Sequence, residues 1–219
     1  MKQADSTHLL QPLNIVRGWK VKENRLLENE DYNKKETGIL LRLEYNYAKD
    51  SIEVIREKDY YQLEITREEN QIPRTLKLQT QKELVDELER AIWYLDSRDD
   101  MDAPLDYIPL RIASGWNVVY NMFINVDPDS LNEQDDQWIR FKDEFLHLQY
   151  DEGRIIIDFG WQDEFDPNGC YWLGLVIDEK WDAPEKLLKI RRPEEVTKAI
   201  EDLMDEVASG KYDKPTYNN

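Results

Sequence analysis

Apolar and polar side chains alternate along several short stretches of the chain, and a period of two is typical of half-buried antiparallel β-strands. These stretches lie at 19–21, 41–45, 52–54, 61–65, 146–150, 157–159 and 171–175. Two other stretches, 84–95 and 196–207, space their apolar residues by three and four positions, which predicts amphipathic helices. A capping box formed by Thr80 and Glu83 and a proline at position 193 mark where these helices begin. The pattern therefore predicts an α+β protein.

The order of these elements occurs twice along the chain. Residues 12–24 and 109–121 share seven identical residues in thirteen positions, including a Gly-Trp pair that we expect to serve the fold. Later landmarks follow in the same order, and the strand at 41–45 has its counterpart 105 residues further on, at 146–150. We therefore predict a duplication that gives two tandem similar halves related by a pseudo-two-fold. Each half would be an antiparallel β-sheet of about four or five strands closed by a C-terminal α-helix.

The boundaries of the two halves follow from where the repeated landmarks start and stop. The first β-sheet/helix repeat is predicted at 1–97 and the second at 109–209. Between them, residues 98–108 contain five charged residues and one proline, which predicts an exposed linker. The last residues, 210–219, follow the second helix, and we expect them to form a loose tail.

The composition excludes several classes of partner and site. The chain has 219 residues, with 29 Lys and Arg against 47 Asp and Glu, and a formal charge of −18. This charge argues against binding to nucleic acid or anionic membranes, whose phosphates are held by basic residues. No run approaches the roughly 18 apolar residues of a membrane span, and the N-terminus lacks the apolar segment of a secretory signal, so we expect a cytoplasmic protein. One cysteine and two histidines leave no intramolecular disulfide and no multi-cysteine zinc site, so we predict no cofactor and no metal.

Differences between the two halves point to a binding function. Residues 1–108 carry a net charge of −6 and residues 109–219 a net charge of −12, so the second half supplies most of the negative field. The second half also has tryptophans at four positions where the first has none. Tryptophan is common at interface hot spots, and carboxylates steer basic partners. We therefore predict that the following residues bind a partner: Trp161, Asp163, Glu164, Asp166, Trp172, Trp181 and Asp182.

Motifs for catalysis are missing from the sequence. There is no glycine-rich phosphate loop, no Gly-x-Ser-x-Gly and no His-Glu-x-x-His, and Cys170 has no neighbouring histidine in sequence to activate it. So many carboxylates are present that almost any two of them fit the pattern of a glycoside hydrolase. We predict that the protein is not an enzyme. Two alternatives remain open: an acidic, carboxylate-based hydrolase, and an adaptor or scaffold protein.

Several motifs of the second half occur in an order that resembles a known group of proteins. Gly115-Trp116-Asn117-Val118 is followed by the strand at 145–148, by the strand at 156–161, and by Trp181-Asp182-x-Pro184. Over about 100 residues this half resembles bacterial immunity proteins, which are encoded beside contact-dependent, Rhs-type or cell-wall-associated polymorphic toxins. The resemblance extends weakly to the first half through the repeat.

The resemblance implies a role but no catalytic residues. Proteins of this kind are cytoplasmic, and each binds the C-terminal domain of its cognate toxin in a tight, neutralising complex. Many such toxins are nucleases, and nucleases are basic. A charge of −18 suits a cationic partner, because charge complementarity raises association rates by roughly 10- to 1,000-fold. We therefore expect an immunity protein whose partner is a basic nuclease domain.

Overall fold

The computed structural model describes residues 7–96 and 106–213. The first series of strands and helices is β1 (Trp19–Asn24), α1 (Glu30–Asn33), β2 (Gly38–Tyr45), β3 (Ser51–Arg56), β4 (Tyr61–Arg67), β5 (Asn70–Leu78) and α2 (Gln81–Asp96). The second series is β6 (Asn117–Asn121), β7 (Leu146–Tyr150), β8 (Ile155–Gln162), β9 (Cys170–Ile177), β10 (Lys186–Ile190) and α3 (Pro193–Ala208). Short 3₁₀ turns lie at Thr7–Leu9, Pro128–Ser130 and Asp136–Arg140. The predicted α+β class is therefore confirmed.

All ten strands belong to one antiparallel sheet. Their order is β10-β9-β8-β7-β6-β1-β2-β3-β4-β5, so each series forms one side of the sheet and β1 meets β6 in the middle. The sequence predicts a separate sheet for each half, and the structure corrects this, because Trp19 and Lys20 of β1 pair with Val118 and Asn117 of β6. Two five-stranded units thus share one continuous hydrogen-bond ladder.

One face of the sheet carries the hydrophobic core. Alternate residues of the strands, such as Val21, Leu43 and Leu63, are fully buried, and the apolar faces of both long helices join the same cluster. Helix α2 packs on β4 and β5, and α3 packs on β9 and β10. The other face, which we call the open face, carries the side chains that alternate with the core residues.

Hydrogen bonds at the centre of the molecule come in pairs that an offset of 97 residues interchanges. Leu13 and Leu110 each donate a backbone N–H to the other's carbonyl, at 3.0 and 3.1 Å. The side chain of Asn24 donates to the carbonyl of Ile112 at 2.9 Å. In the reciprocal bond, Asn121 donates to the carbonyl of Ile15, also at 2.9 Å.

The two Gly-Trp pairs occupy corresponding places beside this central pairing. Gly18 and Gly115 have φ values of +84° and +92°, which side chains rarely adopt. A Cβ at either glycine would lie 2.7 or 2.6 Å from the ring of the following strand's tyrosine, Tyr45 or Tyr150. Each tyrosine in turn packs on the buried tryptophan of its own series. The pairs therefore serve the fold, as the sequence predicts.

The predicted linker and tail fall partly outside the described residues. Of the linker, 98–105 lies outside, while Tyr107 is buried and bridges to Ile124. Of the tail, 214–219 lies outside. Tyr212 is buried, and its carbonyl accepts a hydrogen bond from Arg154 at 2.9 Å, so the tail packs against the domain at least to this residue.

Candidate functional site

Two segments of the second series are longer than their counterparts in the first. Eight more residues separate Ile124 from Leu146 than separate Leu27 from Leu41. Five more residues connect β8 to β9 than connect β3 to β4, when the intervals are counted from the paired core positions 54 and 61 and 159 and 171. Any feature built from these two insertions has no equivalent in the first series.

The two insertions touch each other at one end of the sheet. The backbone N–H of Phe165 donates to the carbonyl of Phe141 at 3.0 Å, and that of Asp143 donates to the carboxylate of Glu164 at 3.2 Å. Arg191 ties them further. Its guanidinium donates to Asp129 at 2.8 Å and to the carbonyl of Pro167 at 3.0 Å. The two loops therefore form one connected surface.

An aromatic base supports these loops from below. Trp161 is fully buried, and its indole N–H donates to the carbonyl of Asp166 at 3.1 Å. Phe141 lies 4.8 Å from both Trp138 and Trp161 between ring centroids. The guanidinium of Arg191 lies over the Trp161 ring at 5.1 Å. Trp161, one of the predicted binding residues, is thus placed in the core beneath the loops, with no part of its side chain exposed.

The surface of the insertions is strongly acidic. We call residues 127–144 and 163–168 the acidic surface; they contain ten carboxylates and two basic residues, Arg140 and Lys142. Among described residues, Asp129 is the one carboxylate of the ten that forms a salt bridge. Two apolar side chains project from the same loops: Ile139 is 70% exposed and Phe165 is 46% exposed. Apolar anchors surrounded by unpaired charge are typical of protein-binding surfaces.

The turn that carries Phe165 has an unusual backbone. Asp163 and Phe165 have φ values of +62° and +63°, a conformation that is uncommon for aspartate and a clear outlier for a bulky side chain. Such strain concentrates at functional sites. The sequence analysis missed Phe165 and Ile139, although an apolar residue within the acidic turn Asp-Glu-Phe-Asp was a signal that could have found the first.

The seven predicted binding residues do not form one cluster. Asp163, Glu164 and Asp166 lie together on the acidic surface, all exposed. Trp172 is half-buried on the open face of β9. Trp181 and Asp182 lie in the β9–β10 loop, at the opposite end of β9, which is about 25 Å long. The structure therefore brings three of the seven together and places Trp172, Trp181 and Asp182 away from them.

A groove at the other side of the molecule is the main competing site. It has a volume of about 1480 Å³ and is lined by the N-terminal segment, the end of β1, α1 and the end of α3. His8 stands at its rim, with ring nitrogens 2.6 Å from Glu201 and 3.0 Å from Asp202. Burial lowers the pKa of His8, but the hydrogen bonds to these carboxylates outweigh it and the pKa is raised. Because both nitrogens are engaged, this histidine has no free position for accepting a substrate proton.

The carboxylate Glu201 also binds a cation within the fold. Its side chain is almost fully buried and accepts a hydrogen bond from Arg111 at 3.0 Å. Arg111 in turn donates to the carbonyl of Leu10 and to Glu28. These groups fasten the N-terminal segment to α3, which accounts for their polarity without catalysis.

The described ranges contain neither a cluster of metal-ligating side chains nor a helix that could cross a membrane. No group of three or more His, Cys, Asp or Glu side chains there is placed to hold a metal ion. Within the same ranges, no helix combines the length and apolar character needed to cross a membrane. Comparisons of the chain with protein-family models, with curated proteins and with solved structures found no match.

Proposed function

We propose that this protein binds and neutralises a basic toxin domain in the cytoplasm of the cell that makes it, and that the acidic surface is the docking site. One observation carries the proposal. The two longest insertions of the second series meet in space, and together they hold ten carboxylates and the exposed Ile139 and Phe165. The insertions therefore combine exposed apolar side chains with charged ones, as protein-binding surfaces do.

The chemistry of the surface fits capture of a cationic protein. Its carboxylates would attract the lysines and arginines with which a nuclease holds phosphates, and such attraction mainly accelerates association. Ile139 and Phe165 would be buried on contact and would slow dissociation, because apolar anchors act mostly on lifetime. Together these effects give the fast and lasting inhibition that protection from an incoming toxin requires.

We also propose that the chain arose by duplication, with 1–97 and 109–209 as the two copies. Support comes from the seven identities at an offset of 97 and from the reciprocal bonds of Asn24 and Asn121. In this view the first copy keeps short loops and acts as scaffold. The second copy gained the two insertions and with them the acidic surface.

The test is co-expression with the variable C-terminal domain of the toxin encoded by the neighbouring gene, followed by stopped-flow kinetics and calorimetry. The charge variant is Glu133→Lys with Asp136→Lys and Asp143→Lys, whose side chains are exposed. Its matched control is Glu57→Lys with Asp59→Lys and Glu69→Lys, which makes the same net change on exposed first-series sites.

The charge variant should slow association about tenfold or more and flatten its dependence on salt, while the control stays near wild type. Phe165→Asn, which tolerates the positive φ, should instead raise the dissociation rate. If the wild-type protein neither protects cells nor binds the toxin domain, the proposal is wrong. If both charge variants slow association equally, the docking site lies elsewhere.

A further inference from the structure

The open face of the sheet differs sharply between the two series. In the first series one row of paired residues crosses β2 to β5 as Arg42, Glu53, Glu64 and Thr75. In the second series the corresponding row crosses β7 to β10 as His147, Asp158, Gly174 and Leu187. The first row is polar throughout and contains a salt bridge of 2.8 Å between Arg42 and Glu53.

The second row is covered by aromatic side chains instead of charges. Trp181 folds back from the β9–β10 loop and stacks on His147, with ring centroids 6.3 Å apart and planes 30° from parallel. Trp172 leans along β9 so that its ring lies 3.6 Å from where a Cβ of Gly174 would be. The open-face patch is defined here as Trp172, Trp181 and Leu187, with His147 and Asp158 beneath.

Polar contacts fix the support under Trp181. Gln149 donates an amide N–H to Nε2 of His147 at 3.1 Å. On the other side of the ring, Nδ1 of His147 faces the carboxylate of Asp158 at 3.5 Å. The imidazole of His147 is therefore held from both sides, and it supports the ring of Trp181 that stacks on it.

The patch remains open to solvent in spite of these contacts. Trp181 is 48% exposed and Leu187 is 56% exposed. The loop around Trp181, residues 178–185, contains four carboxylates and one lysine. A second copy of the chain would bring like charges together, with −18 on each molecule, so charge complementarity favours a basic occupant.

We infer that the open-face patch receives an arginine of a basic partner protein, with an apolar residue of that partner on Leu187. An exposed indole face attracts a guanidinium by cation–π contact, and the flat guanidinium stacks there better than an ammonium does. Asp182 next to Trp181 supplies a carboxylate at the same place. The partner's basic character rests on the proposed function.

The distance between the two surfaces is similar to the width of one interface. The acidic surface and the β9–β10 loop lie about 25 Å apart, at the two ends of β9. A standard interface of roughly 800 Å² per partner is about 30 Å wide. In this proposal one toxin domain reaches both, with carboxylates steering it at one end and the patch holding an arginine at the other.

The first experiment uses a peptide of alternating arginine and leucine and follows the tryptophan indole N–H signals by NMR. The control peptide replaces arginine by citrulline, which keeps the shape and removes the charge. The arginine peptide should shift the indole signal of Trp181, which the Trp181→Phe spectrum identifies, and the citrulline peptide should not.

Two protein variants provide the matched comparison. Leu187→Thr installs the residue that the first series has at this position, Thr75, and should weaken peptide binding severalfold. Ile72→Thr makes the same type of change at an exposed first-series site and should leave peptide binding unchanged. An unmoved Trp181 signal, or equal behaviour of the two variants, overturns the inference.

The second experiment is calorimetry with the toxin domain. Trp181→Ala should weaken binding about tenfold or more, and toxin affinity that is unchanged by this substitution overturns the inference even when Phe165→Asn confirms the docking site. If the wild-type protein does not bind the toxin, the proposed function fails, and the peptide titration alone decides whether the patch binds arginine.

Discussion

Replacement of Asn24 or Asn121 by alanine is the sharpest test of how the centre of the molecule is held together. Both side chains are buried, and each donates to a carbonyl of the other series. Each also accepts a hydrogen bond from the backbone N–H two residues further along its own series, at Leu26 or at Phe123. Each asparagine therefore satisfies two buried backbone groups, one in its own series and one in the other series.

The magnitude follows from what alanine leaves behind. Asn24→Ala strips the side-chain partner from the carbonyl of Ile112 and from the N–H of Leu26. A buried polar group without a partner costs about 1–3 kcal/mol, so the loss of two such partners should lower the free energy of unfolding by about 2–6 kcal/mol. Asn121→Ala should fall in the same range, because its two bonds are the reciprocal ones. For a chain of this size each kcal/mol lowers Tm by about 2–4 °C.

Urea unfolding followed by tryptophan fluorescence measures both variants, with thermal unfolding as a second readout. Asn125→Ala is the control, since this exposed side chain bonds to Asp106 at the surface, and it should change stability by less than about 0.5 kcal/mol. The reasoning is refuted if either junction variant unfolds like the control, or if the two differ by more than about 2 kcal/mol.

Two further predictions concern the N-terminal contact and the repeated tryptophans. The raised pKa of His8 means that its pairing with Glu201 and Asp202 stabilises the protein fully below pH 6.5 and is lost as pH rises through the folded-state pKa. The difference in the free energy of unfolding between wild type and His8→Ala should thus shrink between pH 6 and 9. A constant difference would contradict a stabilising role of the His8 contacts with Glu201 and Asp202. Trp19→Ala and Trp116→Ala should each cost about 3–5 kcal/mol in urea unfolding, and a variant that unfolds like wild type would show that its tryptophan is not core.

Local signals in the sequence predicted the elements well. The capping box of α2 is present, with the N–H of Glu83 donating to Thr80 at 3.2 Å and the N–H of Thr80 donating to Glu83 at 3.3 Å. Pro193 is the first residue of α3, as predicted. The periodicity of the sequence does not show which strand pairs with which. The β1–β6 pairing joins residues almost 100 positions apart, so local patterns in the sequence could not predict the single sheet.

The burial of Trp161, in contrast, could be predicted from the sequence. Ile157, Phe159 and Trp161 have the same parity along β8, and all three are buried in the core. Although acidic residues follow Trp161 in the sequence, strand alternation places its ring on the same face of the sheet as Ile157 and Phe159. Phe165 lies past the end of β8, where alternation no longer applies, and only the fold shows that it projects outward.

The acidic surface combines features that are unfavourable for the free protein. Its carboxylates repel one another, with a single salt bridge among the described residues to offset them, and Phe165 keeps a left-handed backbone. The surface is nevertheless fixed, because Arg191 joins its two loops and the rings of Trp138 and Phe141 lie beneath. A loop held rigid in an unfavourable arrangement loses little entropy when a partner binds, and a cationic partner relieves the repulsion. Strain and crowded charge on a rigid base are therefore more consistent with a prepared binding site than with a solvated surface, which would relax if nothing held it.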